Sequence, residues 1–164
     1  MKKENGIMLC KLILIIVVML FIITLAIVII NKSGNQRVAI DSNKFKNYMQ
    51  SKNYTVGATI KDKDMIEAFT AKDEQKNIES NFYVYKDVES AKKSFERMKS
   101  LLKGTEGENA NIKTENSGNY SKFSLTSSSN KFVVVSRIDN TAINLVCDIK
   151  YRKEFEDILS DLGY

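Results

Sequence analysis

The chain has no histidine, no proline and no tryptophan in its 164 residues, and only two cysteines and seven glycines. Without histidine the commonest general base and metal ligand is missing. Neither a Ser-His-Asp nor a Cys-His arrangement can be built. The few glycines form no phosphate-cradling loop, and no CxxC occurs. Two distant cysteines, Cys10 and Cys147, make no disulfide framework. Cys147 shares a strand face with Ile143 and Leu145, so it reads as a buried apolar residue. A reactive thiol would want a nearby base.

Charge of one sign is also scarce outside the N-terminus. The formal net charge is +5, of which Lys2, Lys3, Lys11 and Lys32 against Glu4 supply +3. Residues 34–164 hold 21 Lys+Arg and 19 Asp+Glu, interleaved along the chain. Phosphate backbones need clustered cations, so no nucleic-acid partner is expected.

What is present begins with a long apolar run. From Leu12 to Ile30 only Thr24 is polar. As a helix this run spans roughly 28 Å, close to the hydrocarbon thickness of a bilayer. Thr24 can bond back to its own helix. The run is too long for a signal-peptide core and ends Ile27-Val28-Ile29-Ile30-Asn31, without a small-residue cleavage site. Cys10 precedes the run, so it is not a lipid-bearing cysteine. The expectation is an uncleaved single-pass signal anchor over 12–30, after a short tail over 1–11. The Lys/Arg count ties across the two flanks. The free amine and shortness of the tail favour N-terminus inside, with the domain outside the cytoplasm.

Residues 31–40 form a polar tether, and 41–164 read as one α+β domain. Asp41 suits an N-cap, with Ile40 and Phe45 as a hydrophobic staple. That helix should stop near Asn53. Strand alternation follows over Tyr54–Ile60, then over Met65–Lys72 and Ile78–Tyr85 around the turn Asp73–Asn77. Ile78, Phe82 and Val84 lie on one face, with Tyr83 and Tyr85 on the other. Asp87 caps a helix whose Val88, Ala91, Phe95, Met98 and Leu102 recur at helical spacing, with Gly104 at its end. The polar stretch Gly104–Asn119 reads as a mobile loop. Strands over Tyr120–Ser127, Lys131–Ile138 and Thr141–Ile149 are joined by Ser128-Ser129-Asn130 and Asp139-Asn140. A last helix runs from Lys150 to Leu162, with Gly163 stopping it. The order αβββαβββα implies an antiparallel sheet with helices on one face, and hints at two αβββ halves.

Candidate chemistry is thin. Ser-x-x-Lys occurs at Ser90–Lys93, Ser100–Lys103 and Ser128–Lys131, but 15 Ser and 21 Lys predict about two such pairs by chance, and the companion motifs are absent. Asp62, Asp64 and Glu67 could meet at a cation, yet the rest of a calcium loop is missing and a solvated turn explains them. Asp139 and Asp148 are the carboxylates an enzyme would use; nothing in the sequence pairs them. Tyr83, Tyr85 and Tyr120 could line an aromatic binding face, although strands favour such residues anyway. If helices cover one side of the sheet, the other side is the surface for a partner protein, peptide or wall polymer.

Three stretches carry a resemblance: Phe45-Lys-Asn-Tyr-Met-Gln-Ser-Lys-Asn-Tyr-Thr-Val56, Asn81-Phe-Tyr-Val-Tyr-Lys-Asp-Val-Glu-Ser-Ala-Lys92, and Val133-Val-Val-Ser-Arg-Ile-Asp-Asn140 with the chain end Asp161-Leu-Gly-Tyr164. Together they resemble small membrane-anchored or lipoprotein-type envelope proteins of low-GC Gram-positive (clostridia-like) bacteria. The Lys- and Asn-rich, proline-free composition agrees. The resemblance implies an extracytoplasmic domain at the cell membrane and transfers no site residue. The reading that results is a non-enzymatic binding or accessory domain without cofactor or metal. Its partners would be the bilayer and a protein or cell-wall ligand. The rival is a small structural subunit of a membrane complex.

Overall fold

In the computed structural model the described residues are 16–24, 36–105 and 110–164. The chain divides into two compact units, Met1–Gln36 and Arg37–Tyr164. In the first, residues 16–24 are helical (α1), with Ile16 through Ile23 all exposed. Thr24 Oγ1 donates to the Phe21 carbonyl at 2.8 Å, so its hydroxyl is satisfied within the helix. The rest of the expected span 12–30 lies outside the described residues. Among the described residues no helix is long and apolar enough to cross a membrane.

The second unit is an α+β fold around one antiparallel sheet. Helix α2 (Ser42–Ser51) starts where Asp41 Oδ1 accepts from the Lys44 amide at 2.8 Å. Ile40 and Phe45 are buried in the same core and clamp this entry. Asn53, at φ 67°, turns the chain out of the helix. Strands β1 (Thr55–Ala58), β2 (Met65–Asp73) and β3 (Ile78–Tyr85) form a meander. Helix α3 (Val88–Thr105) follows, opened by Asp87, whose Oδ1 accepts from the Ser90 amide at 2.6 Å. Then come β4 (Asn111–Ser117), β5 (Tyr120–Thr126), β6 (Lys131–Ile138) and β7 (Thr141–Asp148). A 3-10 turn (Ile149–Tyr151) leads into α4 (Arg152–Leu162), which Gly163 ends at φ 87°.

The strand order is β1-β2-β3-β7-β6-β5-β4, antiparallel throughout. Two meanders therefore meet along β3 and β7, where Phe82 faces Ile143.

Three sequence expectations are corrected. The first concerns the polar stretch before Asn119, which contains edge strand β4, paired with β5 from Asn111↔Thr126 to Ser117↔Tyr120. Its residues are exposed on both faces apart from half-buried Ser117, so no alternation of polarity marks it. The order is thus αβββαββββα, and the two halves do not match. Secondly, α3 runs through Gly104 to Thr105 and does not stop at that glycine.

The third correction is the largest. Helices cover both faces of the sheet, giving three layers. On one face α2 and α4 bury Phe45, Met49, Phe155, Ile158 and Leu159 against Phe82, Val134, Ile143 and Leu145. On the other face α3 packs Phe95 against Phe123, Leu125, Val133 and Val135, and Ala91 against Tyr85 and Ala142. Burial of β6 and β7 on both faces follows from residues such as Phe132-Val133-Val134-Val135, which are apolar on both sides.

Candidate functional site

Beneath the N-terminal half of α3 the second face of the sheet carries one charged side chain that is nearly inaccessible. Arg137 on β6 is 3% exposed. Its register neighbours are small, Ser121 on β5 and Ala142 on β7, and this leaves room for a guanidinium between sheet and helix. Nη1 donates to the Asp139 carbonyl at 3.1 Å and Nη2 to Ser121 Oγ at 3.2 Å. Nε is buried without a partner. Burial holds this guanidinium below its ordinary pKa, and nearby Asp139 partly offsets that. An arginine nonetheless stays charged at neutral pH.

Arg137 lines an open cleft of about 440 Å³. The helix side supplies Lys92, Phe95 and Glu96, and the strand side Asn116, Ser117, Gly118, Tyr120 and Ser121. Glu96 is engaged by Lys99 Nζ at 2.9 Å. Exposed Lys92 carries no ion pair among the described residues. The lining thus combines a buried cation, an exposed one, several hydroxyl and amide groups and one apolar wall. It holds no cysteine, and no carboxylate in it hydrogen-bonds a serine.

The tyrosines expected to share a face do not. Tyr83 and Tyr85 sit on the face covered by α3, 6.2 Å apart between ring centres. Tyr85 is 1% exposed and donates its hydroxyl to Ser94 Oγ at 2.7 Å. Tyr120 belongs to the core on the opposite face, under the guanidinium of Arg37. Only Tyr120 reaches the cleft wall. The open second face on which docking was expected is occupied by α3.

The other candidates are also kept apart. Asp62 pairs with Arg97 at 3.5 Å, Asp64 with Lys86 at 2.6 Å, and Glu67 accepts from Ser42 Oγ. No group of metal-binding side chains forms among the described residues. Asp139 accepts from Asn119 Nδ2 at 2.8 Å, and Asp148 from Lys131 Nζ at 2.5 Å, which holds its carboxyl below the usual range. Asp139 lies in the turn before β7 and Asp148 is the last residue of that strand, so the two cannot act on one substrate atom. Cys147 is 1% exposed, and burial pushes its thiol up to about 12.

No protein-family model, curated protein or solved structure matches this chain. The cleft therefore stands on its own geometry. Arg137 was the functional candidate that sequence reasoning missed. Its signal was a cation next to the end of the most apolar strand, Lys131–Ile138, at a position on the same face as Val133 and Val135 by alternation.

Proposed function

We propose that this chain is a membrane-anchored binding or accessory domain of the cell envelope, non-enzymatic, held by one helix over Leu12–Ile30 with its folded unit outside the cytoplasm. The observation that carries the binding role is the cleft over Arg137. Binding sites are concave and place a few polar groups in an otherwise apolar wall. This one offers donors for orientation, and its one carboxylate, Glu96, is engaged by Lys99 and not by a serine. The anchor rests on the apolar run and on the exposed side chains of Ile16 through Ile23, which water would disfavour.

Side-specific labelling tests the placement. Ser128 lies exposed in the β5–β6 turn, whereas Cys147 is buried. In full-length protein carrying Cys10→Ser, a Ser128→Cys variant should react with a membrane-impermeant maleimide on intact cells. Labelling only after lysis would put the domain inside and sink the envelope reading. Purification in mild detergent addresses the rival. A fixed stoichiometric partner would favour a structural subunit over a freestanding binding domain.

A further inference from the structure

Taking the cleft as the binding site of that reading, we infer that its ligand is a small organic oxyanion, a carboxylate or phosphate group gripped by Arg137 with Lys92 closing the mouth. Two observations meet here. The first is the cleft itself, open to solvent and large enough for more than an ion. The second is a guanidinium 97% shielded by its surroundings whose Nε–H has no protein acceptor.

A buried charge needs a counter-charge or a full set of hydrogen bonds. Arg137 has neither. Its two bonds go to a carbonyl and a hydroxyl, and both are neutral. The acid of the same cleft, Glu96, is already engaged by Lys99. A guanidinium presents its donors as a planar fork that matches a carboxylate or phosphate edge. Ser121 fixes one arm of that fork and so orients the rest. Phe95, 1% exposed, gives the stem of a small acid an apolar wall. Such a placement costs the free fold stability, as preorganised sites do.

The four arginines give four Nε–H signals in a nitrogen–proton correlation spectrum of the full chain in an uncharged detergent. Arg137→Lys identifies the relevant one by its loss. The probes are inorganic phosphate, glutarate and, as a neutral control, N-acetylglycinamide, each against sodium chloride of equal ionic strength. The Arg137 signal should move saturably with phosphate or glutarate while the other three stay. Whichever acid binds more tightly names the head group. Lys92→Ala, at an exposed position that leaves the fold alone, should weaken binding about fivefold or more. In Arg137→Met the backbone amide signals of the cleft residues Gly118 and Ser121, which should move with phosphate or glutarate in the unaltered chain, should no longer respond, and thermal stability should be unchanged or higher.

Equal movement of all four signals, or movement reproduced by chloride, overturns the proposal. A shift with N-acetylglycinamide alone overturns the anion but keeps a binding cleft. Loss of the fold in Arg137→Met, with no effect of Lys92→Ala on binding, would make Arg137 a structural residue and end the idea. None of these outcomes depends on which side of the membrane the domain lies.

Discussion

The guanidinium of Arg37 lies over the ring of Tyr120, 3.6 Å from its centre. Arg37 is the first residue of the folded unit, and Tyr120 opens β5. The same residue donates from Nη1 to the Gly163 carbonyl at 3.2 Å. Its backbone is held from both sides by Asn119, whose Oδ1 accepts from the Arg37 amide and whose Nδ2 donates to the Arg37 carbonyl. Replacing Arg37 by Ala removes an exposed cation–π contact of about 0.5–1 kcal/mol and a hydrogen bond of about 1 kcal/mol. Urea unfolding should show a loss of roughly 1–2 kcal/mol, and limited proteolysis should reach Ala39 sooner. An unchanged midpoint would mean that the tether is held by Asn119 alone.

The core has a centre that one substitution tests. The rings of Phe45 and Phe82 stack 4.8 Å apart, joining α2 to β3. Both are fully buried, and Phe82 is paired with Phe69 and Ile143 in the sheet. Phe82→Ala should cost about 3–5 kcal/mol through lost burial and the cavity left behind. A loss below about 1 kcal/mol in a denaturant series would show that the site collapses and that the stack is dispensable.

Cys147 should be chemically silent. Its thiol is buried in the core with Phe132, and its pKa of about 12 leaves almost no thiolate at neutral pH. Reaction with a chromogenic disulfide should be slow in native protein carrying Cys10→Ser and immediate in guanidinium chloride. Cys147→Ser, which buries a hydroxyl, should destabilise by about 1–3 kcal/mol. Fast native labelling would show that the α4 layer opens readily.

Stability should be flat across neutral pH, because nothing in the chain titrates as histidine does. On the acid side the Asp148 carboxyl is lowered by its bond from Lys131, and Glu79 by those from Asn81 and Lys72. Groups depressed in the folded state bind protons more readily when unfolded, so stability is present above their unfolded values and lost as pH falls below about 4. On the alkaline side burial raises Tyr48, Tyr54 and Tyr164. Their stabilising effect is complete below the unfolded value near 10 and is lost as pH rises beyond it. Melting temperatures between pH 3 and 11 should trace a plateau with two shoulders. A step near pH 6–7 would contradict this.

Much of the domain was legible because local rules and burial agreed. Ile78–Tyr85 and Lys131–Ile138 match their strands end to end, and Asp41, Asp87 and Gly163 cap as their chemistry requires. Strand β4 was hidden because an edge strand exposed on both sides needs no apolar alternation. The side on which α3 packs was hidden because its stripe of Ala91, Phe95, Met98 and Leu102 would fit either face. The decisive hint lay in β6, apolar on both sides. Tyr85 and Tyr120 gave no warning that they face opposite layers, since their separation is set by β3 and β5 lying in different meanders. The burial of Arg137 follows from a register that sets it between Ser121 and Ala142, and strand pairing of that kind is not written in the local sequence.

The seam between β3 and β7 has a kinetic meaning. Every other strand pair joins neighbours in sequence through a short turn, and each can close locally. Bringing Phe82 beside Ile143 closes a loop of about sixty residues, which costs roughly 1.6 kcal/mol more chain entropy than a ten-residue hairpin. That increment is small, but it falls on a single event, and α3 lies within the loop being closed. Docking of α3 onto β6 shortens the stretch of chain left to close, which ties the helix that roofs the cleft to the joining of the two meanders.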